Sequence, residues 1–203
     1  MFMKQDALLE IQRYISSTRL HSYKQNASIK QQLKEYRRNI KLCKNFYPEL
    51  SFFEITLRNA IDSTLTAFVN GAGWMTTLPF DNQTLYKITE VKNRLKKQNK
   101  QITHDRIVSE LTLGFWTTLL SKKYNQCKFQ AVIVKKAFAN CPKSQRSVQN
   151  IQMYVNEIRE LRNRVCHYER ICHYPDIKER HKRLIECTGW ISPEMAKLAK
   201  KKF

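Results

Sequence analysis

Within the stretch Glu157-Ile-Arg-Glu-Leu-Arg-Asn-Arg-Val-Cys-His-Tyr-Glu169, Arg162 and His167 stand five positions apart in what reads as helix. These are the two side chains that cleaving an RNA phosphodiester without a metal calls for. A guanidinium holds phosphoryl oxygens with a planar fork and offsets the charge gathering on them, and an imidazole moves protons near neutral pH. The 2′-hydroxyl of RNA attacks the adjacent phosphorus once a base takes its proton, and the departing 5′-oxygen needs an acid. Histidine can do either task, but one histidine cannot do both at once.

Helix geometry does not put the pair on one edge. Five residues advance by about 500°, which leaves Arg162 and His167 about 140° apart. Asn163, four residues before His167, is its neighbour on the same face. Three arrangements would let Arg162 and His167 serve one phosphate: a helix distorted near its end, a long arginine that wraps round, or a second subunit that supplies one group. A twofold axis would also bring two imidazoles together as acid and base. The bland alternative is chance spacing in an arginine-rich chain, with His167 acting as a helix cap.

The elements that must position these groups read as all-α. The 203 residues include only four glycines and five prolines, and long runs favour helix. The pattern predicts helices over 4–15 and 18–26, then one from the N-cap Ser28 to about Phe46, where Pro48 breaks or restarts the chain. A central helix over 49–69 is expected to be buried on more than one side, through residues that include Ile55 and Phe68. Gly71-Ala-Gly73 ends it. A loop over 74–80 precedes a helix over 82–100 whose Leu85, Ile88, Val91 and Leu95 face inward. Further helices are expected over 103–120, on either side of Gly114, and over 127–138. The longest late helix spans 144–167 with one buried stripe, and others cover 177–187 and the segment after Ser192-Pro-Glu194. The tail ending in Lys200, Lys201 and Lys202 reads as a solvated end. One helical bundle is the economical architecture.

Lys and Arg exceed Asp and Glu by 37 to 17, a formal net charge of +20, so polyanions are the first partners to suspect. No apolar run approaches the roughly 20 residues of a membrane-spanning helix, and the first ten residues carry an acid where an export signal would be apolar. Six cysteines without CxxC spacing read as free thiols of a cytoplasmic protein. Neither a metal nor another cofactor is expected, although Cys166-His167 and Cys172-His173 repeat a pair that zinc could use.

The run Leu161-Arg-Asn-Arg-Val-Cys-His-Tyr-Glu-Arg-Ile171 closely resembles the signature of Abi-like (abortive infection) proteins of the HEPN superfamily, in which Arg-Asn-x-x-x-His is followed by an acid and Ile. Other blocks agree in order: Arg19-Leu-x-x-Tyr23, Tyr36-x-x-Asn39, Glu54-Ile-Thr-Leu-Arg-Asn-Ala60, Leu111-Thr-Leu-Gly-Phe-Trp116 and Trp190-Ile-Ser-Pro-Glu194. The resemblance implies an HEPN-like helical bundle over residues 1–203, with helical extensions at both ends. It also implies a homodimer with a composite, metal-independent ribonuclease site that forms a cyclic phosphate, used in phage defence or toxin-antitoxin systems. Carried over by position, Arg162 and His167 take the catalytic places and Asn163 the polar place beside them. Tyr168 stands where family members often have a second histidine.

Glu54, Arg58 and Asn59 form a supporting set, with Glu54 and Arg58 spaced for a helical ion pair. Arg37, Arg38, Lys92, Arg94, Lys96 and Lys97 are candidate contacts to the RNA backbone, and Tyr36, Tyr86 or Tyr124 could stack on unpaired bases. The competing reading is an RNA-binding protein of the same family that holds a small structured partner RNA, or is restrained by an antitoxin, with little or no cleavage. DNA regulation has less support, since no helix-turn-helix signature stands out.

Overall fold

In the computed structural model, which describes residues 5–200, every regular element among those residues is helical. The α-helices are α1 (Gln5–Ile15), α2 (Ser17–His21), α3 (Ile29–Phe68), α4 (Trp74–Thr77), α5 (Asn82–Lys97), α6 (His104–Glu110), α7 (Leu113–Thr118), α8 (Lys128–Lys136), α9 (Val148–Cys166), α10 (Ile177–Ile191) and α11 (Pro193–Lys200), with a 3-10 turn at Lys122–Tyr124. Side-chain caps set several starts: Ser16, Ser28, Asp81, Thr103 and Ser147 each accept a first-turn backbone N–H. Pro193 occupies the first position of α11, where its missing N–H has no cost. Lys201 and Lys202 of the basic tail lie outside the described residues.

The largest departure from expectation is α3, which runs 40 residues without a break at Pro48. An interior proline removes one helical hydrogen bond and costs about 3 kcal/mol or more. Here Pro48 and Lys44, whose carbonyl loses its partner, are both exposed, so water can solvate the orphan. On the other face Cys43, Phe46, Leu50, Phe53, Leu57, Ile61 and Leu65 form one buried stripe that runs past Pro48 on both sides. Burying such side chains yields roughly 1.5–3 kcal/mol each, which outweighs one lost bond. The burial is one-sided: Ile55 and Phe68 are exposed, as is Leu85 on α5.

Two smaller corrections follow from packing. The break in the 103–120 segment falls at Leu111 and Thr112, not at Gly114, which lies inside the first turn of α7. Buried Leu111 and Leu113 anchor both sides of that break, and Trp116 donates its indole N–H to the Leu111 carbonyl at 3.3 Å. The expected loop after Gly73 contains α4, held by Trp74, whose indole donates to Asp62 at 2.9 Å. At the end of α3 the left-handed residue is Asn70 (φ 57°), and Gly71 N–H closes back on the Thr66 carbonyl at 2.9 Å.

One cluster of buried apolar residues extends from Cys43 to Trp190, and a small second one joins Ile185, Ala196 and Ala199. Helix α3 packs against α8, α9, α10 and α11, while α9 also contacts α7, α8 and α10. The stripe Ile151, Val155, Ile158, Leu161 and Val165 seats α9 in this core, which leaves Arg162 and Arg164 half-buried and His167, Tyr168 and Glu169 exposed. No helix among the described residues is long and apolar enough to cross a membrane.

Candidate functional site

The site is built where α9 stops. His167 is the C-cap: its N–H donates to the Asn163 carbonyl at 2.9 Å, Tyr168 N–H to Val165 at 3.3 Å and Glu169 N–H to Arg164 at 2.8 Å. This closing pattern needs a left-handed residue after the cap. Tyr168 fills it at φ 56°, at a cost of roughly 1 kcal/mol that glycine would avoid. The chain therefore turns away immediately after His167, whose side chain is exposed.

What holds the outgoing loop is Asn39, 1% exposed on α3. Its Oδ1 accepts from Ile171 N–H at 2.7 Å and Cys172 N–H at 3.0 Å, and its Nδ2 donates to the Glu169 carbonyl at 3.1 Å. The same Nδ2 lies 3.2 Å from the Tyr23 hydroxyl, which burial pushes up to about 12, so it stays protonated. Arg19 on α2 donates to the Tyr168 carbonyl. A buried side-chain amide with both ends satisfied fixes geometry that a surface loop would not keep. Arg19, Tyr23 and Asn39 thus converge on the turn after His167.

Between α2 and this turn lies an open cleft of about 520 Å³, lined by Arg19, Tyr23, Arg164, His167, Glu169 and Arg170 among others. Arg164 lies 3.3 Å from the Glu169 carboxylate. The cleft can do two things chemically: hold an anion among guanidinium groups and present it to an imidazole.

Arg162 does not line that cleft. Half-buried, it faces Glu54 on α3, with Nε 3.0 Å from Oε2 and Nη2 3.4 Å from Oε1. Helix α9 is regular to Cys166, so within one chain neither a distorted helix nor a wrapped arginine brings Arg162 to His167. The expected Glu54–Arg58 pair is not made. The planar fork of Arg162 fits both carboxylate oxygens across the helix interface, and Arg58 turns to Asn59 Oδ1 at 3.1 Å and the Ser109 carbonyl at 3.4 Å. Asn59 and Asn163 are exposed.

The candidate RNA contacts divide. Arg37 and Arg38 are exposed on α3, Arg38 paired with Glu35 at 3.2 Å, and both line a separate groove beside α1. Lys92, Arg94, Lys96 and Lys97 occupy the last turns of α5, which contributes nothing to the His167 cleft, and Arg94 is tied to Glu110 at 2.8 Å. Tyr86 is exposed and Tyr36 partly so, but Tyr124 is buried and bonded to Asp81 and Thr84 at 2.8 Å each, so it cannot stack on a base. The cations that do surround His167 are Arg19, Arg164 and Arg170. Arg164 and Arg170 sit inside the motif and could have been singled out there. The bond from Arg19 spans 149 residues and no spacing rule reveals it.

Among the described residues no group of three or more His, Cys, Asp or Glu side chains could hold a metal ion, and the six cysteines are unpaired. No protein-family model, curated protein or solved structure matches this chain.

Proposed function

We propose that the chain is an endoribonuclease of the Abi-like HEPN type, a cytoplasmic phage-defence toxin that works as a homodimer with a metal-independent site. The observation that carries this reading is His167, held at a capped helix end in a cleft with Arg19, Arg164 and Arg170. In this reaction the 2′-oxygen to phosphorus bond forms as the bond to the 5′-oxygen breaks. The 2′-hydroxyl proton goes to one imidazole and a second imidazole protonates the 5′-oxygen, leaving a cyclic phosphate and a 5′-hydroxyl. A second copy supplies the second His167. Glu54 holds the Arg162 guanidinium ready at the surface of α9, where a partner's cleft can meet it.

A second reading has its own support. Arg162 is engaged by Glu54 away from the His167 cleft, an arrangement that suits a protein that grips a structured RNA and cuts it weakly or not at all. Purified protein incubated with cellular RNA in EDTA, beside an Arg162→Ala/His167→Ala variant, separates the two. Cleavage by the native chain alone, with cyclic phosphate ends, is the expected result. Equal products from both proteins, or none from either, removes the enzymatic reading.

A further inference from the structure

Beside the His167 cleft lies a second opening of about 600 Å³, lined by Tyr23, Lys24, Arg164, Arg170 and His173 among others. The two openings share Ser22, Tyr23, Arg164 and Arg170, so they are halves of one groove with two arginines between them. Several guanidinium groups elsewhere meet acids, Arg94 with Glu110, Arg162 with Glu54, Arg180 and Arg183 with Glu157, and others, such as Arg58, Arg146 and Arg159, are engaged by neutral oxygens. In the groove Arg164 alone has a carboxylate, Glu169, while Arg19, Lys24 and Arg170 have none within ion-pairing distance among the described residues. Cations gathered from α2, the end of α9 and the following loop, without acids to match, leave a positive potential that an anion can neutralise.

The second half is also furnished for a ligand. His173 stacks on Tyr174 with ring centroids 4.3 Å apart, and Tyr174 is itself flanked by the guanidinium of Arg180 at 4.2 Å. The imidazole is therefore oriented although it is exposed. The protein packed along one side of the ring, and after it the charges of Arg170 and Arg164, lower His173 from the ordinary imidazole value.

The geometry points to a second phosphate subsite formed by Lys24, Arg170 and His173, which takes the phosphate next to the one held beside His167 on the same RNA strand. It rests on the RNA reading of the His167 cleft and deepens it. The groove then requires at least two consecutive phosphates for full affinity, and Arg164 and Arg170 bridge them. The shared chemistry is a phosphate group, which a strand or a free mononucleotide could supply, and strand length distinguishes the sources.

The test uses the full chain and uncleavable 2′-O-methyl oligonucleotides, with inorganic phosphate as the simplest probe. Phosphate should move the His173 ring C–H resonances and raise their titration midpoint, while those of His104, paired with Asp62 away from the groove, stay in place. A trinucleotide, with two phosphates, should bind about tenfold tighter than a dinucleotide, the effect of one charge-assisted contact. Lys24→Gln/Arg170→Gln and, separately, His173→Gln should erase most of that gain, and the log-log salt slope should fall by about 0.7 per lost phosphate contact. Unfolding curves confirm that the variants fold. His173 shifts no larger than those of His104, or an equal trinucleotide gain in native and variant chains, overturns the subsite. A preference for free mononucleotide over the trinucleotide overturns it too. Length-dependent binding of these oligonucleotides with no cleavage of unmodified RNA upholds the subsite and sinks the nuclease reading; His167-dependent cleavage of unmodified RNA without the length effect does the reverse.

Discussion

The last turns of α5 and the groove at the end of α9 are both rich in cations, yet they differ in how the charge is assembled. On α5, Lys92, Arg94, Lys96 and Lys97 come from one helix, and one of them is already tied to Glu110. In the groove, Arg19, Arg164 and Arg170 arrive from separate segments and meet around His167. A run of lysines along one helix raises the field over the whole surface, whereas cations from different elements aimed into one concavity concentrate it on a single ligand. Charge density in the sequence marked the first region, and convergence marks the second.

The sharpest way to break this contrast is to undo the groove's support. Replacing Asn39 with alanine leaves the Ile171 and Cys172 N–H groups without their acceptor, at about 1–3 kcal/mol for each buried group. Urea unfolding should show a loss of about 2–4 kcal/mol, with RNA affinity falling alongside. Lys96→Ala/Lys97→Ala, changing solvated side chains, should stay within about 0.5 kcal/mol. Equal, small losses in both would mean that the groove is not held as described.

Binding comes next in size. Arg164→Gln/Arg170→Gln should weaken RNA binding by about tenfold or more at low salt and flatten the log-log salt slope by about 1.4. Lys96→Gln/Lys97→Gln should cost about twofold through the general field. Filter binding across a salt series measures both, and a larger effect on α5 reverses the assignment.

Acid sensitivity separates the regions from the other direction. Asp81, the N-cap of α5, has a carboxyl that burial would raise but that bonds from Lys123, Thr84 and Tyr124 hold well below the usual range. A depressed folded pKa contributes stability that is complete above the unfolded value near about 4 and is lost as pH falls toward the folded one. Asp81→Asn should therefore lower stability at neutral pH and flatten the acid limb, read by circular dichroism from about pH 5 downward. An unchanged acid limb would deny the pairing its role.

The smallest expected change is a gain. Tyr168→Gly removes the left-handed penalty at φ 56° while giving up an exposed ring, and should stabilise the chain by up to about 1 kcal/mol without weakening RNA binding. A loss of binding would show that the ring itself meets the ligand.

Much of the fold was legible because helix signals are local. Ser28 acts as a cap through a residue three positions away, and the stripe from Ile151 to Val165 repeats at helical spacing. Pro48 misled because its local penalty is real, but it is smaller than the burial along the opposite face of α3. Gly114 misled similarly, since buried leucines on either side of Thr112 decide where the helix breaks.

The site was legible only as a set of names. By itself the sequence determined the all-helical class, the strong positive charge and the presence of an arginine and a histidine near the end of one helix. All of these depend on composition and on spacings within a few turns. The tertiary structure alone decided that Arg162 faces Glu54, that Asn39 ties down the turn after His167, and that Arg19 reaches its cleft. Those relations join residues more than a hundred positions apart, and only the packing of α2, α3 and α9 around a common core brings them within hydrogen-bonding range.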